Sequence, residues 1–291
     1  MLSQQFIPNA HLSSQEKAER LNRPADSAIK MGNLAKALLL RVFLFPGCRV
    51  VEFGCGPGSN ILKLEIAQPS ALVFVDICAT SIAETIRRIE CRRNEPTYLK
   101  NYRTAVLDFT QLFSEETKLL YFSDAPYNFV LSLYSLQYSG RSGAALSDFF
   151  ENCSSLLGPG GIFIGIMPNA QRLRQAVNSG ENVLFRVKVN NENRAIFFSG
   201  QSGVPYEFNI SGKVYHEYTL APADLVAVSS RKKFCVQFVL SMADFVSRYS
   251  NFYKKLASSL RTFMLPKRGN DFGNQDFELF NLYDVVVLQR G

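Results

Sequence analysis

Residues able to do chemistry concentrate in two short runs. Val50-Val51-Glu52-Phe53-Gly54-Cys55-Gly56-Pro57-Gly58-Ser59-Asn60 is followed, eighteen residues after Gly54, by Leu72-Val73-Phe74-Val75-Asp76. Val50, Val51 and Phe53 form a short apolar run rich in β-formers. Gly54, Gly56 and Gly58 permit positive φ and close backbone approach where a strand gives way to a helix. Such a turn leaves backbone N–H groups facing a ligand. The second run predicts a neighbouring parallel strand, with Asp76 at its carboxyl end placed to accept hydrogen bonds from both hydroxyls of a ribose. Together they predict a nucleotide-type ribose site. A phosphate-binding P-loop needs Gly-Lys-Ser/Thr after the glycines, and Gly58-Ser59-Asn60 lacks the lysine. A dinucleotide fold wants G-x-G-x-x-G, whereas the spacing here is G-x-G-x-G preceded by an acid. Glu52 disfavours a pyrophosphate beside the turn and favours a cationic ligand.

Those residues need a frame to position them, and the chain is long enough to build one. Its 291 residues, 47% hydrophobic and 20% charged, fit one large globular α/β domain or a domain with an inserted lobe. No run approaches eighteen apolar residues and the first residues lack a basic segment and an apolar core, which predicts neither a membrane span nor a signal peptide. Six cysteines without a C-x-x-C pair, and only two histidines, His11 and His216, predict a reduced compartment, no disulfide frame and no metal site. The net charge of +7 favours an anionic partner such as RNA or a phosphate-rich small molecule.

Taken in order, residues 1–28 read as an arm with a helical turn or two at 15–21. Apolar spacing through Leu34, Leu38, Leu39, Val42 and Phe43 predicts a helix over 33–43, stopped by Pro46-Gly47. A helix is expected over 81–93, carrying Arg87, Arg88, Arg92 and Arg93 either as a solvated face or within reach of phosphates. Strands are expected over 104–109, with Asp108 at the carboxyl end, over 127–133, and over 162–166 after Gly158-Pro159-Gly160-Gly161; a helix is expected over 149–157. This alternation predicts a doubly wound, mostly parallel sheet whose carboxyl edge carries Gly54, Asp76, Asp108, Tyr134 and Pro168. Tyr134 and Tyr138, four apart after the fourth strand, either overhang the cleft or pack as ordinary aromatic residues. From about 170 to 233 short β-rich pieces (183–189, 195–199, 206–210, 214–220) predict an antiparallel insertion over the same edge. Helical spacing returns over 223–229 and 242–260, and 234–239 with 279–289 predicts a closing antiparallel pair.

The acid and glycines of 52–58 resemble motif I of the class I S-adenosylmethionine (SAM) methyltransferases, which implies a Rossmann-like seven-stranded sheet. Three further stretches resemble the messenger-RNA cap guanine-N7 methyltransferases over roughly residues 27–290. Tyr134-Ser135-Leu136-Gln137-Tyr138 is similar to that family's F-S-L-H-Y, and the run 160–169 to its G-G-x-F-I-G-T-x-P-N. Tyr206-Glu207-Phe208-Asn209-Ile210 with His216-Glu217-Tyr218 is similar to Y-x-F-x-L followed by P-E-Y/F.

The resemblance implies methyl transfer from SAM, leaving S-adenosylhomocysteine, to N7 of the guanosine cap of mRNA, by in-line displacement with no general base and no metal. It implies a cofactor site of Lys36, Glu52, Gly54, Gly56, Asn60, Asp76 and Ile77, with Asp108, Phe109, Leu133, Ser135 and Tyr138 around the adenine and methionine ends. It implies a cap site of Asn33, Arg88, Tyr134, Gln137, Tyr138, Pro168, Glu217 and Tyr283. The partner would be the capped 5′ end of RNA, with triphosphatase and guanylyltransferase subunits as companions, no membrane and no DNA. The compartment would be the nucleus for a cellular source and the cytoplasm for a viral one. The chain departs from the family pattern where G-K-G-G-D becomes Gly56-Pro57-Gly58-Ser59-Asn60, where Gln137 replaces histidine, and where Gly32 replaces the first asparagine of N-N-x-x-K. Two alternatives remain open: a SAM methyltransferase acting on a small molecule or protein, and a silent cap- or RNA-binding subunit.

Overall fold

The computed structural model describes residues 24–178, 185–210, 213–250 and 279–291. The turns expected at 15–21 and the helix expected beyond Ser250 lie outside them. Among the described residues the order is α1 (Pro24–Phe43), β1 (Arg49–Phe53), α2 (Ile61–Ala67), β2 (Ala71–Asp76), α3 (Ala79–Glu90), β3 (Tyr102–Val106), α4 (Glu115–Tyr121), β4 (Tyr127–Leu133), a 3₁₀ turn (Leu136–Arg141), α5 (Gly143–Leu156) and β5 (Leu157–Pro168). There follow α6 (Ala170–Asn178), β6 (Phe185–Lys188), α7 (Asn191–Ser199), β7 (Pro205–Ile210), β8 (Lys213–Tyr218), α8 (Pro222–Arg231), β9 (Phe234–Ser241), α9 (Met242–Ser250) and β10 (Tyr283–Arg290).

Seven strands form one sheet in the order β3-β2-β1-β4-β5-β10-β9, and β6-β7-β8 form a separate antiparallel sheet. β1 to β5 run parallel, and β10 enters antiparallel to both β5 and β9. β1, β2 and β4 are predominantly apolar because both faces of the sheet are covered, with Glu52 in β1 and Asn128 and Ser132 in β4 as interior exceptions. Val50, Leu72, Phe74, Phe129 and Leu131 face the core under α1, α2 and α3. Their neighbours Val51, Val73, Val75 and Val130 face the opposite core, built with Phe149, Phe150 and Cys153 of α5. Since chain order reverses direction between β1 and β4, the crevice for a ligand lies where those two strands end.

Several elements differ from the sequence expectation. α1 begins at Pro24, a residue suited to a first helical turn because its missing N–H is unsatisfied there anyway. β3 ends at Val106, so Asp108 lies two residues past the strand. α5 starts at Gly143 because Ser142 caps it, accepting from Ala145 N at 3.1 Å. The helix α4 was not expected; Ser114 accepts from Thr117 N, and Glu115 and Glu116 complement the helix dipole. The stretch 195–199, expected as a strand, is the end of helix α7. Gly200 terminates it at φ +90, and only Phe197 is fully buried while Ile196 is exposed, so one-sided helical packing overrides the β-propensity of Ile-Phe-Phe. Before β10, a helical turn at 279–281 replaces the start of the expected strand.

The ends of β1 and β4 meet at Gly54. It holds φ +69, and a Cβ there would lie 2.3 Å from Ser135 Cβ and 2.5 Å from its Oγ. Gly54→Ala is therefore expected to destabilise the fold by more than about 2 kcal/mol, from left-handed strain and overpacking together. Urea unfolding checks this; an unchanged midpoint would show that the crevice accommodates the methyl.

Candidate active site

The glycine turn is fixed from below by the neighbouring strand. Gly54 N and Cys55 N donate to Val75 O at 2.8 and 3.1 Å. Asp76 then grips both sides of the crevice: Oδ2 accepts from Gly56 N at 2.8 Å and Oδ1 from Cys78 N at 2.9 Å. Each oxygen keeps a lone pair, so the carboxylate still has capacity for a ligand. Ile77, next to it, is 65% exposed. Asp108 accepts from Thr110 N and Thr110 Oγ1 at 2.9 and 2.6 Å, and faces Arg141 at 3.3 Å. Phe109 stacks on Phe53 at 5.6 Å, Leu133 is buried, and Ser135 Oγ donates to Phe53 O at 2.7 Å.

Below the turn lies a buried polar cluster. Asn60 Nδ2 donates to Glu52 Oε1 at 2.5 Å, while Glu52 Oε2 and Asn60 Oδ1 have no hydrogen-bond partner among the described residues. Burial pushes the Glu52 carboxyl up to about 7, against the hydrogen bond from Asn60 and the charges of Lys36 and Lys63. Burial and the like charge of Lys63 bring Lys36 down to about 7. Lys36 Nζ donates to Ser59 Oγ at 3.3 Å and stands 5.5 Å from the centre of the Tyr134 ring.

A cavity of about 430 Å³ opens beside this cluster, and Asn33, Lys36, Tyr134, Gln137, Tyr138, Glu217 and Tyr283 all line it. Glu217 is 6% exposed. Its Oε2 accepts from Tyr206 OH at 2.7 Å and its Oε1 from Gln137 Nε2 at 2.9 Å. Burial raises its pKa, and those two donors pull against the rise. Tyr134 meets Tyr283 edge to face at 4.9 Å. Its backbone holds φ +66, a strained conformation for a tyrosine that turns the ring from the strand end towards the cavity. Gly32 makes room for the hydroxyl: a Cβ at that position would come within 2.7 Å of Tyr134 Oη. The glycine at 32 and the tyrosine at 134 are thus sterically coupled.

The remaining expected residues sit elsewhere. Pro168 is buried in β5, paired across the sheet with Tyr283. Arg88 does not line the cavity, and its Nε pairs with Glu84 at 2.7 Å. Arg87 shares Glu84, Arg92 pairs with Glu65, and Arg93 with Glu90, so the arginines of this region are matched by acids close at hand. Lys63 was not anticipated. From α2 it reaches Asn33 Oδ1 at 3.2 Å and Ser59 O at 2.9 Å, and burial lowers it to about 8. Its place one turn into the helix after the glycines was the signal available in the sequence. Phe208, Tyr215 and Phe280 also line the cavity without having been singled out for it.

Residues 3–290 match the model of the family described as the mRNA (guanine-N(7))-methyltransferase domain. The chain is 24% identical over 290 residues to mRNA cap guanine-N(7) methyltransferase 1 of Arabidopsis thaliana, covering 96% of this chain and 78% of that protein. It is 30% identical over 167 residues to the enzyme of the same name in Oryza sativa subsp. japonica, covering 56% of this chain and 45% of the rice protein. The match therefore spans less than half of the rice protein. In fold the chain is similar to the CcbJ methyltransferase of Streptomyces caelestis, with a TM-score of 0.55 at 14% identity over 89% of this chain and 90% of that one. It is likewise similar to an S-adenosylmethionine-dependent methyltransferase of Clostridium acetobutylicum, with a TM-score of 0.53 at 13% identity over 90% and 92%. The class I methyltransferase sheet and a match running almost end to end place this chain in the mRNA (guanine-N7)-methyltransferase domain family.

Proposed function

We propose that the protein transfers a methyl group from SAM to N7 of the guanosine cap at the 5′ end of RNA. The observation that carries this reading is the buried Glu217 carboxylate facing the cavity. Each of its oxygens holds one hydrogen bond from the protein and retains capacity for another. Two acceptors side by side suit the N1–H and amino group of guanine and mismatch the corresponding edge of adenine.

The residues at the strand ends fit SAM. Glu52 Oε2 and Asn60 Oδ1 are buried acceptors without partners among the described residues, suited to the positively charged methionine end. Asp76 would take the ribose hydroxyls, and Asp108 with Phe109 the adenine. When bound, SAM supplies the methyl group of its sulfonium. Guanine N7 carries no proton, so no side chain has to act as a base. The protein's contribution is then orientation and electrostatics. Glu217 fixes the edge of the base, while Tyr134, Tyr138 and Tyr283 enclose it and keep water away. Methylation makes the base cationic, so a carboxylate and aromatic faces bind it more strongly as charge develops. Lys36 lines the cavity and Lys63 backs it, bonded to Asn33 and Ser59, so the two bring positive charge to this end of the site although the lysine of the family's G-K-G-G-D is replaced by Pro57.

Three outcomes are expected. Glu217→Ala should lower transfer of labelled methyl to unmethylated G-capped RNA by at least about a hundredfold, with SAM binding by calorimetry nearly intact. Label appearing in 7-methylguanosine after digestion of the wild-type product identifies the atom. A Glu217 variant that keeps most of its activity would overturn the guanine assignment. Asp76→Asn keeps the shape of the acid and should weaken SAM binding by roughly tenfold or more; unchanged affinity would sink the ribose assignment.

The third outcome concerns pH. A cationic ligand prefers ionised Glu52, whose pKa before binding is raised to about 7. Glu52 is therefore expected to give SAM affinity a limb that rises with pH through this range. Calorimetric affinities across the range should show that Glu52→Gln loses this limb. A variant whose affinity still rises would assign that limb elsewhere.

A further inference from the structure

The face of the β6-β7-β8 sheet that lines the cavity changes character from its deep end to its rim. Side chains two apart on a strand share a face, and the antiparallel register sets Tyr206 opposite Glu217, Phe208 opposite Tyr215, and Ile210 opposite Lys213. The deep pair is buried and hydrogen-bonded. The middle pair is aromatic: Phe208 is 3% exposed, whereas Tyr215 is 40% exposed at the mouth. The outer pair sets a cation beside an apolar residue. Phe208, Tyr215, Ile210 and Lys213 all line the same cavity as Glu217. Each step along β8 covers two residues, about 6.6 Å, so an acid, an aromatic ring and a cation follow one another outward at regular spacing.

This order matches the alternation of base and phosphate in a single strand of nucleic acid. Single-strand sites combine aromatic rings, on which bases stack irrespective of sequence, with positive charge that follows the backbone. The deep end already has Tyr134, Tyr138 and Tyr283 around one base. Tyr215 stands one step beyond it, with a ring half in water and no described residue hydrogen-bonded to its hydroxyl.

We infer that the Phe208–Tyr215 step is a second base-binding subsite, where Tyr215 stacks on the base of the nucleotide joined to the cap guanosine through the triphosphate. Lys213 lies outward of it, towards the next backbone phosphate. The subsite rests on the proposed cap reading of the deep end and adds a preference for the nucleotide that follows the cap. Since stacking carries it, the preference is for the presence of a base and is largely indifferent to which base.

Initial rates of N7 methyl transfer to GTP, to the cap dinucleotide GpppA and to its abasic analogue Gppp-ribose test the subsite. Wild-type protein should show a KM for GpppA roughly tenfold below that for Gppp-ribose, and Gppp-ribose should resemble GTP. In Tyr215→Ala the GpppA-to-GTP ratio should collapse towards one, and Tyr215→Phe should keep it. No methylation of any acceptor by protein that binds SAM would overturn the cap reading itself. Methylation of all three with equal KM by wild-type protein would leave that reading standing and overturn the subsite. So would a GpppA preference that survives Tyr215→Ala, and so would an equal loss on GTP and GpppA, which would place the ring against the guanine. The wild-type comparison needs no variant to fold.

Discussion

The closest constraint in the molecule is the approach of β1 and β4 at their carboxyl ends. Ser135 donates to Phe53 O, and only a glycine at 54 leaves space for that contact. The approach makes the crevice at the reversal of strand order narrow and rigid. On one side it turns the chain through Gly54, Gly56 and Gly58, all at positive φ, under the grip of Asp76. On the other side Tyr134, the residue before Ser135, holds its strained backbone and lines the cavity. A strand-end turn and an aromatic wall thus stand on either side of one contact, and the strain at Tyr134 is sustained by the surrounding packing.

The second organising feature is charge held out of water. Glu52 and Lys36 are buried and Lys63 half-buried beside the glycine turn, Glu217 is buried at the cavity, and the pKa values of all four move towards neutrality because desolvation opposes ionisation. Such groups are costly to the fold and respond strongly to a charged ligand, since the low-dielectric setting that penalises them also magnifies any pairing. Glu217 differs from Glu52 in this respect. Tyr206 and Gln137 satisfy it in advance and fix its orientation, whereas one oxygen of Glu52 is left without a partner.

The doubly wound sheet was legible in the sequence because β1, β2 and β4 are covered on both faces and so appear as predominantly apolar runs, broken only at Glu52, Asn128 and Ser132, between glycine and polar turns. Local signals with less contrast were harder to read. Helix α4 is seven residues long, buries no side chain and shows itself only through Ser114 and the two glutamates after it. The Ile-Phe-Phe of α7 favours a strand by propensity, and the decisive features were Gly200 and the burial of Phe197 alone. At the site, residues in compact motifs could be singled out: Asn33, Lys36, Tyr134, Gln137, Tyr138, Glu217 and Tyr283 do converge on one cavity. Lys63 and Tyr215 escaped notice because a lysine on a helix and a tyrosine on a strand are ordinary until tertiary structure brings the one to Asn33 and Ser59 and the other to the cavity mouth. Arg88 shows the converse, since a tempting basic residue is held by Glu84.

The departures at 32, 134 and 137 make physical sense as a group. An asparagine at 32 would place its Cβ 2.7 Å from Tyr134 Oη, so the tyrosine side chain would have to shift to admit it, whereas glycine leaves it in place. That hydroxyl reaches Met242 Sδ at 3.4 Å and ties the wall of the cavity to α9. Gln137 bonds both Tyr134 O and Glu217 Oε1, so it bridges the strained turn to the acid without carrying a charge that titrates near neutrality. The pocket therefore keeps its carboxylate, its aromatic enclosure and a fixed link between them while exchanging three side chains. The methyl transfer proposed above asks for no proton transfer from the protein, so it makes no demand for a titrating side chain at 137 and asks only for the placement of the acid and the rings.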